Sequence, residues 1–326
     1  MPKAAVALVL AAVLALGWGA AARAKTTFIS IGTGGTGGVF YPYGGGMAEI
    51  WSRCVPGVKA VAEVTGASVE NVKLTHKGET AVGLTMGDVA HQAYHGEGFF
   101  KGKPQGVLAM AAMYPNVLHA VTLKGSGIKN LTDFKGRKVS IGAPGSGTTF
   151  MAETVLRALG VTLDSFDVRR LSFSETTIAL RDGSIDAGVW VVAPGANSLA
   201  DLAATHDIEL IALTPDQQKR VSDAYGFYAS WTVEPGDYRG VDQPVPTVSV
   251  WNVVIVQAAL PEDLVYELAK ALFEQNAFMQ TIHPYARFST PANTVAKTPI
   301  PLHPGAVRYL REKGIPVPDG LLSPTR

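Results

Sequence analysis

Residues 28–38 read Phe28-Ile29-Ser30-Ile31-Gly32-Thr33-Gly34-Gly35-Thr36-Gly37-Gly38, and a matching stretch starts about 110 residues later. There, Lys138 to Ile141 runs into Gly142-Ala143-Pro144-Gly145-Ser146-Gly147-Thr148-Thr149. Each copy is a short apolar run, a glycine turn and then apolar residues at helical spacing. After the first, Met47, Ile50, Trp51 and Cys54 fall on one helix face. After the second, Met151, Val155 and Leu159 mark a helix that stops at Gly160, a residue suited to a left-handed cap. Strand, turn and helix in succession is the pattern of parallel sheets covered by helices. In both turns glycine allows positive φ and clears side chains away from the backbone. The helix start adds free N–H groups and a partial positive charge, and Ser and Thr add hydroxyls. Such turns hold an anion without Arg or Lys.

The rest of the chain fits the same α/β plan. Strands are expected at Val58 to Val64, Ala81 to Leu84, Val168 to Leu171, Ala187 to Val192, Ile208 to Leu213 and Val248 to Val256. Val107 to Met113 and Val117 to Leu123 are two apolar runs near a crossover. Ser68 to His76 reads as a helix. Pro261 opens another, with Glu262 and Asp263 in its first turn as the macrodipole favours, and Leu264, Leu268 and Leu272 along one face. Pro304 to Lys313 is the last helix.

The chain has 326 residues, 47% hydrophobic and only 17% charged, which excludes a disordered chain and suggests about two domains. With 28 Lys and Arg against 27 Asp and Glu, it lacks the basic excess of a nucleic-acid binder. Residues 1–24 carry Lys3, an apolar run from Ala4 to about Leu16, and Ala22-Arg23-Ala24 as a cleavage site. They read as a cleaved signal peptide, leaving an exported protein with 26 basic and 27 acidic residues. The single cysteine, Cys54, is too far from that site to carry a lipid and is expected as a buried small hydrophobe.

Enzymatic readings find little support. Gly32, Gly34 and Gly37 satisfy the dinucleotide fingerprint, but no acidic residue ends a second strand about 20 residues on. Neither turn has the Gly-Lys-Ser/Thr ending of a nucleotide phosphate loop. His91 and His95 stand four apart without a third ligand and read as surface residues, and His119 as a packed crossover residue. Asp182 and Asp186 flank a Gly-Ser turn and make a poor acid–base pair. No nucleophile set appears, so no catalytic role and no cofactor or metal is expected. Ser174 starts a helix, where capping is the default role and ligand contact the alternative. Trp190 suits core or cleft wall equally, and Tyr41 is placed to cover a ligand with its ring and hydroxyl.

The motif series resembles the TAXI family, the substrate-binding proteins of one class of TRAP (tripartite ATP-independent periplasmic) transporters. The resemblance runs through residues 32–46, Gly66-Ala67-Ser68-Val69-Glu70-Asn71, Gly83 to Asp88, residues 143–148, Leu180 to Ala187, Leu264 to Phe273 and His303-Pro304-Gly305-Ala306. It implies a two-lobed type II periplasmic binding protein with two crossovers. Lobe I would hold residues 25–121 and 250–326, and lobe II residues 122–249. It also implies capture of a dicarboxylate, 2-oxo acid or acidic amino acid, such as 2-oxoglutarate or glutamate, and delivery to a sodium-driven membrane permease. Carried over by position, Gly35, Thr36, Gly37, Val39 and Tyr41 would form one wall of the pocket. Gly145, Ser146, Gly147, Thr148 and Thr149 would form the other. Ser174 and Trp190 join the candidates on their own reading. Two departures alter the pocket wall: Met86-Gly87-Asp88 lacks the family's usual Gln-Ser-Asp, and Trp190 is followed by Ala193-Pro194-Gly195. Met86 hints at a less polar ligand tail. A monomer is expected, and an exported sensor that presents its closed form to a receptor kinase is the alternative function.

Overall fold

The computed structural model describes residues 26–324; the expected signal peptide lies outside them. Each glycine-turn unit builds half of the sheet. In the first, β1 (Thr27–Gly32) leads through the turn to α1 (Phe40–Cys54), then β2 (Val58–Glu63), α2 (Ser68–Lys77), β3 (Val82–Met86) and α3 (Gly87–His95). After the long β4 (Val107–Leu123), the second runs β5 (Lys138–Ser140), α4 (Gly147–Ala158), β6 (Asp167–Arg169), α5 (Phe173–Arg181), β7 (Ala187–Val192) and α6 (Asn197–Thr205). Then come β8 (Ile208–Leu210), α7 (Pro215–Ala224), β9 (Ala229–Val233) and β10 (Val245–Gln257). Helices α8 (Glu262–Glu274), α9 (Asn276–Ile282), α10 (Pro291–Lys297) and α11 (Pro304–Glu312) close the chain.

The described strands form one mixed sheet in the order β2-β1-β3-β10-β4-β7-β5-β6, with β8 added to β4 and β9 to β10. The two units repeat one arrangement. β1 lies between and parallel to β2 and β3, as β5 lies between and parallel to β6 and β7. Parallel strands are buried on both faces, so they read as continuous apolar runs.

Two long strands cross between the halves. β4 pairs with β10 from Val107 to Val117 and with β7 from Val117 to Thr122. β10 pairs with β9 from Val245 to Ser249 and with β3 from Asn252 to Val256. The two apolar runs expected around the crossover are thus one strand. Pro115 lacks an amide to donate, and the β4–β10 register shifts beside it, between Trp251 and Val253.

The apolar core fills both faces of the sheet and runs through both halves. Val117, Val121, Trp190, Val192, Val254 and Val256 pack on one side; Leu118, Ala120, Val189, Val191, Val253 and Ile255 pack on the other. That split is the two-residue alternation of strands. Cys54 corrects an expectation. Met47, Ile50 and Trp51 are buried, but Cys54, the last residue of α1, is exposed. Among the described residues no helix is long and apolar enough to cross a membrane.

Candidate functional site

A cavity of about 430 Å³ lies between the two halves. Its wall is built from the segments at the ends of the parallel strands: residues 34–40 after β1, 64–68 after β2, Met86 ending β3, Ala143 and residues 146–148 after β5, 172–174 after β6, and Val191 and Val192 in β7. Loops at the carboxyl ends of parallel strands are where open α/β sheets place ligands. Asn116 on β4 completes the lining.

The two glycine turns work differently. Gly142 and Gly145 hold φ of +97° and +77° and need glycine for their backbone shape. In the first turn none of Gly32, Gly34, Gly35, Gly37 and Gly38 has positive φ, contrary to expectation. Most of these glycines are set by crowding instead. A Cβ on Gly37 would stand 2.7 Å from Ser174 Oγ, and one on Gly38 3.2 Å from the Phe173 ring. Ala67, on the wall beside them, holds φ +73°, a conformation unfavourable for a residue with a Cβ.

Helix starts leave amides unpaired around the cavity. Ser146 caps α4, its Oγ accepting from the Thr149 amide at 3.2 Å and donating to the Ala143 carbonyl at 2.7 Å. Ser172 caps α5 in a capping box with Glu175. The amides of Gly147, Thr148 and Ser174 then have no acceptor among the described residues, and neither do those of Thr36 and Gly37. Among the described residues no Lys, Arg, His, Asp or Glu lines the cavity.

Of the residues expected at the site, Gly35, Thr36, Gly37, Val39, Ser146, Gly147, Thr148 and Ser174 line this one cavity. Four others lie off it. Tyr41 points outward, 37% exposed, while its neighbour Phe40 lines the wall. Thr149 turns its hydroxyl to the Ala143 carbonyl at 2.8 Å, and Gly145 shapes the turn. Trp190 is fully buried, with Nε1 donating to Ser198 Oγ at 3.2 Å and its ring stacked on Phe173. It therefore backs a wall residue. The segment from Val64 to Ser68, Phe173 and Asn116 were not among the expected residues. Gly66 to Ser68 lie in a stretch that carries the family resemblance, and Asn116 is a lone amide next to Pro115 in an apolar strand.

The halves touch beyond the cavity. The Ser198 amide donates to the Gly37 carbonyl at 3.2 Å, and the Val69 amide to the Gly145 carbonyl at 3.1 Å. Tyr228 Oη, just before β9, donates to Asp88 Oδ2 on α3 at 2.7 Å. Asp88 is buried, which pushes its carboxyl up to about 6 despite the Tyr228 bond and the Val89 amide, both of which favour the charged form. His119 is buried and does not reach the cavity; burial holds it down to about 4. Its Nε2 is 3.3 Å from Tyr238 Oη.

Comparison with known proteins agrees with this geometry. The family described as NMT1-like matches residues 31–314. The chain belongs to the NMT1-like family. The alkanesulfonate-binding protein SsuA from Xanthomonas axonopodis pv. citri, bound to MOPS, is similar over 89% of this NMT1-like chain and 92% of its own, at 12% identity and a TM-score of 0.50. The ligand-binding component of an ABC-type import system from Staphylococcus aureus is similar over 92% and 97%, at 13% identity and a TM-score of 0.52. A structure from Streptococcus mutans, described for glutathione import through GshT and the cystine importer TcyBC, is similar over 81% and 96%, at 13% identity and a TM-score of 0.52. At these identities the likeness is one of fold. The NMT1-like chain has an α/β fold, a mixed sheet flanked by helices, that matches these binding proteins.

Proposed function

We propose that the chain is an exported solute-binding protein that captures a small organic carboxylate by closing its lobes. It then delivers the ligand to a sodium-driven TRAP permease, as the resemblance to the TAXI family implies. The observation that carries this reading is the cavity itself: residues with free amides from both halves line a shared space that holds no charged side chain among the described residues. Amides of that kind favour a negatively charged group. The volume falls within the roughly 300–1,000 Å³ typical of small-molecule sites.

We place the lobe boundaries where strand pairing changes, near Asn116 in β4 and between Ser249 and Asn252 in β10. That stays close to a division into 25–121 with 250–326, and 122–249. Residues 1–24 act as the export signal in this reading, and the mature protein works as a monomer in the periplasm. The ligand-binding residues are Gly35, Thr36, Gly37, Val39, Ser146, Gly147, Thr148 and Ser174.

Isothermal titration of the mature protein against C4 to C6 dicarboxylates, 2-oxo acids, hydroxy acids, Glu, Gln and aromatic acids tests the reading. Micromolar binding of one class is expected, about 8 kcal/mol of binding free energy. No binding of any organic acid at millimolar concentration would sink it.

A further inference from the structure

Asn116 narrows the ligand. It stands where β4 passes from β10 to β7, lines the cavity, and is 4% exposed. Its Nδ2 donates to the Val191 carbonyl at 3.2 Å. That bond sets the amide's orientation, since a flipped side chain would turn one oxygen against another. Oδ1 is then a buried acceptor with no donor among the described residues. Buried polar atoms are paired in nearly all folded proteins, and of those left unpaired among the described residues Asn116 Oδ1 is the one whose residue lines the cavity, where a ligand can supply the partner.

The remaining wall limits what that ligand can be. The first carboxylate takes the free amides of the two turns, so a second would enter with neither amides nor a cation to meet it, and an ammonium without an anionic partner, because among the described residues no charged side chain lines the cavity. Burying an unpaired charge is far more costly than burying a neutral hydroxyl that finds an acceptor. A 2-oxo group presents a second acceptor to Asn116 Oδ1, whereas a 2-hydroxyl presents the missing donor. Val39, Phe40, Met86, Phe173 and Val191 offer apolar surface for the rest of the molecule.

We infer that the cavity selects a 2-hydroxy monocarboxylate with an aliphatic or aromatic body, and that Asn116 is the residue that reads the hydroxyl. This rests on the carboxylate reading of the same cavity. The free amides of the glycine turns hold the single charge, and Asn116 separates hydroxy acids from oxo acids of the same skeleton.

The test is titration of the mature protein with 2-hydroxyisocaproate, 2-oxoisocaproate, leucine and 2-oxoglutarate, repeated on Asn116→Leu. The wild type is expected to favour the hydroxy acid over its oxo counterpart by about tenfold, the worth of one hydrogen bond. The Leu variant should bind both and lose most of that ratio. The wild-type ranking decides the matter even if the variant fails to fold. Equal or tighter binding of 2-oxoisocaproate, leucine or 2-oxoglutarate by the wild type overturns the inference and leaves the carboxylate reading standing. An undiminished ratio in Asn116→Leu removes Asn116 from the role. Failure of every acid in the wider panel removes both readings together.

Discussion

Gly37 and Gly147 sit in the two turns, and each is small because the opposite lobe is close. A Cβ on Gly147 would stand 2.3 Å from Met86 Sδ and 2.7 Å from Ser68 Oγ. One on Gly37 would meet Ser174 Oγ at 2.7 Å and Ser198 Cβ at 3.1 Å. These side chains come from the other half of the sheet, so the missing Cβ serves closure as well as ligand approach. Gly37→Val and Gly147→Val should therefore fold normally yet lose closure. Thermal melts without ligand are expected to stay within about 2 °C of wild type, as surface changes usually do. The rise in Tm on adding ligand should vanish. A ligand-induced rise equal to that of the wild type would mean that neither position lies at the closing interface. The glycines were legible in the sequence as positions that cannot bear side chains, but the atoms that forbid them were not. The same limit separates Tyr41 from Phe40: a helix turns about 100° per residue, so adjacent positions face different ways, and composition does not say which one meets the cavity.

At the scale of elements, α3 is tied to the second lobe by one buried pair. Asp88 begins the helix and receives the Tyr228 hydroxyl, and the His91 ring stands 4.7 Å from the Phe227 ring. Asp88 is raised from 3.8 to about 6 by burial. A carboxyl with a raised folded value stabilises the fold fully below its unfolded value of 3.8, and that contribution is lost as pH rises through about 6. Above pH 6 the buried charge therefore costs about 3 kcal/mol, the free-energy equivalent of a rise from 3.8 to about 6. His119 and His283 work in the opposite sense. Both are lowered from 6.5 to about 4, so their contribution is present above 6.5 and lost as pH falls through 4. Asp88→Asn isolates the first effect, because both histidines remain in the variant. Urea melts from pH 3 to pH 8 should show the variant gaining on the wild type between about 4 and about 6, with no further gain below or above that window. A difference that stays flat across that range would show that Asp88 titrates alike folded and unfolded. The strand–turn–helix units were readable because each has a period and a stop. Several elements were not; α9 and α10 have only seven residues each, too few to show a period. β9 is short and mixed in polarity, and α7 is largely exposed, so neither leaves an apolar period to find.

At the scale of the molecule, the two halves share β4 and β10 and meet again only across the cleft. Tyr114 to Val117 and Ser249 to Asn252 are the segments where those strands change partners, and Pro115 with the nearby register shift interrupts the ladder there. A sheet broken in register at one line bends there more readily than through a continuous ladder. Beside the ring contacts of His91 with Phe227, Phe99 with Phe150 and Trp231 with Tyr285, three hydrogen bonds join the halves in this structure: Ser198 to Gly37, Val69 to Gly145 and Tyr228 to Asp88. Two are single neutral hydrogen bonds, each worth about 1 kcal/mol net, and the third is set against the cost of a buried carboxylate. Contacts of this size leave room for the ligand to supply the difference between the open and closed forms. Small-angle scattering checks this directly. A compact chain of this length has a radius of gyration of about 20 Å. The ligand-free protein should exceed that value and contract towards it as ligand is added. Gly37→Val should stay expanded at every concentration, because its collision with Ser174 and Ser198 exists only in the closed form. A wild-type radius that does not move on saturation would show that the lobes are closed before the ligand arrives, and capture would then need a route into the cavity other than opening at β4 and β10.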